Sequence, residues 1–164
     1  MRVNNPFKTF RRYILRLVLC ALAAATVAAT PALAGEARVE VQGGVDWSDG
    51  LSTKGVIGAA AGYDWSLPGG AFVGAEESVD KPLASDTHVR WGTSGRLGLH
   101  VTPKDKLYAT AGYNYGVGPH ASDVGAGWEH SFGPMYGKVE YKRFFTEDGL
   151  PDSNGAVVGM GVHF

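Results

Sequence analysis

Asn154-Gly-Ala-Val-Val-Gly-Met-Gly-Val-His-Phe164 is the stretch whose reading decides the fold. Ala156, Val158, Met160, Val162 and Phe164 are apolar, while Gly155, Gly159, Gly161 and His163 between them are small or polar, with Val157 the exception. A period of two belongs to a strand whose two faces meet different surroundings. The stretch stops on an aromatic residue, which a soluble sheet has no use for. A barrel in a membrane carries aromatic girdles at both rims and could anchor itself there.

The same alternation runs back along the chain. Strands are expected at 38–47, 55–65, 71–78, 88–101, 107–115, 122–132 and 135–145, with the last at 154–164. In the first, Val39, Val41, Val45 and Trp47 alternate with Arg38, Glu40, Gln42 and Asp46. In the fourth, Val89, Trp91, Leu97, Leu99 and Val101 alternate with His88, Arg90, Ser94, Arg96 and His100. Eight strands of about ten residues suit a tilted β-segment crossing a bilayer. The connections after strands two, four and six are compact, with Pro or paired Gly. Those at 48–53, 79–87 and 146–153 are longer and more polar, and 116–121 is intermediate. Outer-membrane barrels have short periplasmic turns and longer external loops. The expected fold is therefore an all-β, eight-stranded antiparallel transmembrane up-and-down β-barrel.

Residues 1–34 read as a signal peptide, leaving 35–164 as the barrel. Arg2, Lys8, Arg11, Arg12 and Arg16 precede an apolar run over 17–29, and Ala32-Leu33-Ala34 fits a small-residue cleavage site. The apolar run is too short for a retained spanning helix. A lipid attached at Cys20 fits poorly with the bulky Leu19 before it. Cleavage would remove the single Cys, so no disulfide framework is expected. It would also remove five of the fifteen basic residues, leaving ten against sixteen acidic ones, a formal charge of −6. That balance argues against nucleic acid as a partner.

A soluble barrel or sandwich would place apolar residues inside and charge outside. Three features favour the inverse. Charged residues share one face with many glycines, and small residues belong inside a narrow tube. Trp47, Trp65, Tyr115, Trp128, Phe132, Phe145 and Phe164 sit near strand ends on the apolar face, where interfacial aromatics lie. Strands in lipid must also close on themselves to satisfy their backbone. The inward charges must then pair with one another. Arg38, Glu40, Glu76, Arg90, Arg96, Glu129, Lys138, Glu140 and Lys142 form the expected polar network of the lumen. The turn at Gly133-Pro134 sets Glu129 opposite Lys138. A polar core that stabilises the barrel is the plainer reading of these charges, against a proton or ion pathway.

Leu107-Tyr-Ala-Thr-Ala-Gly-Tyr113, Val124-Gly-Ala-Gly-Trp-Glu-His-Ser-Phe-Gly-Pro134, Tyr136-Gly-Lys-Val-Glu-Tyr-Lys-Arg-Phe144 and the closing Val157–Phe164 together resemble the opacity-porin and OmpX-like outer-membrane β-barrel family of Gram-negative bacteria. The resemblance covers nearly all of residues 35–164. It implies a surface protein of the cell outer membrane, set among lipids and lipopolysaccharide. It also implies insertion by the outer-membrane assembly machinery, which reads the last strand. The family brings no catalytic residues and no cofactor. The loops here are shorter than those of its adhesive members, which argues against receptor binding. A structural, surface-exposed monomer is the expected function, with any recognition made through the loops 48–53, 79–87, 116–121 and 146–153, and with a small-solute porin as the alternative. A lipid-A-modifying enzyme is disfavoured. Glu129-His130-Ser131 looks like a triad, yet alternation turns His130 to the opposite face from the other two. His88, His100, His120, His130 and His163 lack metal-ligand spacing.

Overall fold

The computed structural model describes residues 35–48, 52–84, 87–117, 119–147 and 151–164. The expected signal peptide and Cys20 lie outside them. Eight strands follow one another: β1 Gly35–Trp47, β2 Lys54–Ser66, β3 Ala71–Pro82, β4 Arg90–His100, β5 Asp105–Gly116, β6 Ala121–Phe132, β7 Met135–Thr146 and β8 Ser153–His163. Each pairs antiparallel with its sequence neighbours, and β8 returns to β1 to close the barrel. At that seam Val39 faces Val162 and Val41 faces Met160. The backbones of Ala37 and Phe164 exchange two hydrogen bonds of 3.0 Å there. No described helix is long and apolar enough to cross a membrane.

The alternation read from the sequence fixes which way each residue points. Val41 is 67% exposed and Leu97 61%, whereas Arg38 is 1% exposed and Glu129 0%. The barrel is apolar outside and charged inside. That inversion is stable only where hydrocarbon, rather than water, covers the wall.

Four aromatic rings point inward, from Phe72, Tyr108, Tyr136 and Phe144, all of them buried. Glycines on adjacent strands make room for them. Phe72 stands opposite Gly98, Tyr108 opposite Gly127, and Tyr136 opposite Gly161. A Cβ added at Gly161 would lie 2.7 Å from the Tyr136 ring, and one at Gly127 would lie 2.8 Å from Tyr108 Cε2. Bare backbone beneath a ring is how a narrow tube fits bulky side chains without spreading its strands.

Three compact turns lie at one rim, at 67–70, 101–104 and 133–134. A short 3-10 helix, Pro68–Gly70, makes the first, with Gly69 at φ 78° and Gly70 at φ 79°. Gly133, at φ 78°, makes the tightest. The longer loops lie at the other rim.

Strand edges differ from the expectation in two informative places. β3 does not stop at Ser78 but continues to Pro82, because Val79 still points outward and Asp80 inward, pairing with Ala59 and Gly58. The segment 102–106, expected to be a turn, gives Asp105 and Lys106 to β5, opposite His130 and Glu129. Burial of the Lys106 ammonium on acids of the lumen outweighs its polar turn-like context.

Candidate functional site

The lumen holds the densest chemistry in the molecule. Each inward charge is delivered by strand parity and answered by charges from strands far away in sequence. The Arg38 guanidinium on β1 lies 2.5 Å from Glu76, 3.6 Å from Asp64 and 3.9 Å from Glu40. Arg96 on β4 lies 3.0 Å from Glu129, 3.5 Å from Asp64 and 3.9 Å from Glu76. Its guanidinium also sits 4.0 Å above the Tyr108 ring, a cation–π contact in a dry setting. Lys106 Nζ reaches Glu36 at 2.8 Å, Glu129 at 3.1 Å and Asp64 at 3.4 Å. Lys138 pairs with Glu40 and lies 3.9 Å from Glu76. Lys142 pairs with Glu140 at 3.1 Å. Two phenols complete the lattice, Tyr108 donating to Glu140 at 2.8 Å and Tyr136 donating to Glu40 at 2.6 Å.

Arg38, Arg96, Lys106, Lys138 and Lys142 thus meet Glu36, Glu40, Asp64, Glu76, Glu129 and Glu140, five cations against six carboxylates. Stripping water from charges is repaid only by pairing as tight as this. Above the lattice, toward the loops, the lumen is polar but less charged. Gln42 donates to Asp80 at 2.8 Å, Asn114 to Asp123 at 2.5 Å, and Arg90 to Asp46 at 3.3 Å.

All nine residues named for the lumen from the sequence point inward. Eight join the lattice. Arg90 lies apart from it, near the loop rim on Asp46. Glu129 and Lys138 do stand directly opposite across β6 and β7, but they do not form the expected pair. Glu129 turns to Arg96 and Lys106, and Lys138 to Glu40 and Glu76. In a closed tube the space across the lumen is as near as the neighbouring strand, and register alone does not choose between them. Sequence reading missed Asp64, Lys106 and Tyr136. Parity could have found Asp64, two residues beyond the inward Gly62, and Lys106, two before the inward Tyr108.

The seven aromatics named for the girdle lie on the outer wall or its rims. Trp65, Trp128, Phe132 and Phe164 belong to the turn half, and Trp47, Tyr115 and Phe145 to the loop half. Trp91, 45% exposed and cross-strand from Tyr115, belongs with the second group. Polar groups on the outer wall are tied down. Glu77 accepts hydrogen bonds from Tyr115 at 2.5 Å and Thr93 at 2.6 Å. Asp105 accepts from the Trp128 indole at 3.1 Å.

Glu129 and His130 do not converge. His130 lies on the outer wall with Nδ1 2.7 Å from Asp105 Oδ1, while Glu129 is sealed in the lumen. Glu36, Glu129 and His163 bring ligand-type atoms within 4.8 Å of one another. The Lys106 ammonium already occupies the space between the two carboxylates.

Neither a protein-family model nor a curated protein matches the sequence. Solved structures do match the fold. The chain is similar to Ail, the attachment invasion locus protein of Yersinia pestis, with a TM-score of 0.56 at 12% identity, over 79% of this chain and 97% of that one. It is similar to Neisserial surface protein A, with a TM-score of 0.51 at 9% identity, over 79% and 97% of the two chains. It is also similar to a transmembrane β-barrel designed de novo, with a TM-score of 0.50 at 15% identity, over 77% and 95%. At such identities the likeness is one of fold, that of the eight-stranded transmembrane barrel of bacterial outer membranes.

Proposed function

We propose that this protein is a non-enzymatic, surface-exposed structural barrel of the bacterial outer membrane, of the opacity-porin and OmpX-like type. The observation that carries the reading is the inverted wall, with a greasy exterior around an ion-paired interior. Such a wall belongs in a bilayer, and such an interior blocks passage. The turn rim faces the periplasm in this reading. The segments 48–53, 83–89, 117–120 and 147–152 face outward, and any recognition belongs to them. The surroundings are outer-membrane lipid and lipopolysaccharide. Insertion runs through the outer-membrane assembly machinery, which engages β8, and the barrel works as a monomer.

Fractionation of cells expressing the protein, followed by electrophoresis of heated and unheated samples, tests this reading. The protein is expected in the outer-membrane fraction, migrating faster before heating than after. A product that stays dissolved and monomeric without detergent would overturn it. Planar bilayers separate it from a porin, since stable single-channel steps would show that the lattice opens. An altered lipid A mass on deletion would restore the enzyme.

A further inference from the structure

Two carboxylates in the loop half of the lumen have no cation of their own. Asp80 and Asp123 are 8% and 4% exposed, and neither makes an ion pair among the described residues. Their partners are neutral. Gln42 donates to Asp80 at 2.8 Å, the Ser78 hydroxyl to Asp80 at 3.3 Å, and Asn114 to Asp123 at 2.5 Å. The cations at this level are already engaged, Arg90 by Asp46 at 3.3 Å and Lys142 by Glu140 at 3.1 Å. Lys54, across the strand pair from Asp46, lies exposed at the rim. A buried carboxylate with neutral partners alone is costly, and this layer holds a pair of them.

The two acids belong to one band of oxygen-bearing side chains laid over glycines. Asp80 stands opposite Gly58, Ser78 and Asn114 flank Gly92 from either side, and Asp123 stands opposite Gly112. A Cβ added at Gly92 would lie 2.7 Å from Ser78 Oγ and 3.1 Å from Asn114 Oδ1, so side chains of β3 and β5 meet there over bare backbone. Asp123 Oδ2 and Thr110 Oγ1 are both buried without a hydrogen-bond partner among the described residues. Thr110, 7% exposed, stands opposite Gly125, the next inward position after Asp123 on β6. The band thus offers carboxylate, amide carbonyl and hydroxyl oxygens, and no imidazole or thiolate. Oxygen sets of this kind suit hard cations such as calcium and magnesium. A pair of unmatched carboxylates calls for a divalent ion rather than sodium. The loop-side mouth, a cavity of about 380 Å³, lies above the band, on the side from which an ion would arrive.

We infer that the loop half of the lumen binds a hard divalent cation, held between Asp80 and Asp123 with the oxygens of Ser78, Asn114 and Thr110 beside it and water completing its shell. The site lies above the charged lattice and is independent of the structural role proposed for the barrel.

The test uses the protein folded in micelles of a zwitterionic detergent, which keeps anionic lipid out of the measurement. Calcium chloride is titrated by calorimetry, and the temperature at which heated and unheated samples migrate alike is read with calcium and with a chelator. Saturable binding is expected, with a higher temperature in calcium that the chelator reverses, because a ligand of the folded state alone stabilises it. Asp80→Asn and Asp123→Asn should each weaken binding at least about ten-fold, since ligand charge sets the affinity of such sites. Asp152→Asn, at the loop rim, should leave binding unchanged. Either buried variant decides the matter if the other does not fold. An unchanged temperature in the wild-type protein would overturn the assignment. So would an equal rise in sodium chloride of matched ionic strength, or calcium affinity undiminished in Asp80→Asn and Asp123→Asn, since the ion would then sit on acids of the rim.

Discussion

Glu129 is the residue on which the most contacts of the lattice converge from the β6 side. Replacing it with Ala leaves Arg96 and Lys106 facing each other with one fewer carboxylate between them. Removing one member of a buried ion pair costs about 3–5 kcal/mol. Glu129→Ala should therefore lower sharply the temperature at which heated and unheated samples come to migrate alike. Tyr136→Phe is the milder counterpart. It deletes one phenol bonded to a carboxylate, worth about 1.5–3 kcal/mol, and keeps the ring over Gly161. Its melting temperature should fall between wild type and Glu129→Ala. The identity of the lumen residues was legible in the sequence because side-chain parity is strict. The partner of each was not, as Glu129 and Lys138 demonstrate. Which cation a carboxylate meets across a tube depends on strand tilt and stagger, and neither leaves a trace in local pattern.

Along the elements, the outer face of most strands is a mainly apolar run, with aromatics toward the rims. Leu97 on β4 lies within the run, and Leu67 lies in the turn beyond β2. Arginine at a lipid-facing position costs about 2–4 kcal/mol near the midplane and about 0–1 kcal/mol near the interface. Leu97→Arg should accordingly unfold in markedly less urea than wild type when held in lipid vesicles, and Leu67→Arg should not. A soluble sheet would rank the two alike. All eight strands were readable beforehand, and their boundaries failed where polarity and pairing disagree. Val79-Asp80-Lys81 and Asp105-Lys106 look like loop by composition. They stay in the sheet because Asp80 and Lys106 have lumen partners, Gln42 for the first and Glu36, Asp64 and Glu129 for the second. A charge with a buried counter-charge obeys the ladder, and sequence gives no sight of the counter-charge.

At the scale of the whole molecule, seven of the eight strand pairings join neighbours in the chain, and only β1 with β8 spans its length. Hairpins can therefore form locally, and closure waits on that one seam. Loop-closure entropy falls there almost alone. The burial of the lattice has a consequence of its own. Mobile ions in bulk solution weaken exposed charge pairs over a Debye length, but they screen buried pairs much less. The lattice is covered above by the polar pairs and around by the wall, and it meets solvent at the turn rim through Glu36, 35% exposed, so salt reaches little of it. The unfolding temperature of the barrel should be nearly the same at low and at molar ionic strength. A protein held together by so many charges should behave, toward salt, as though it carried none.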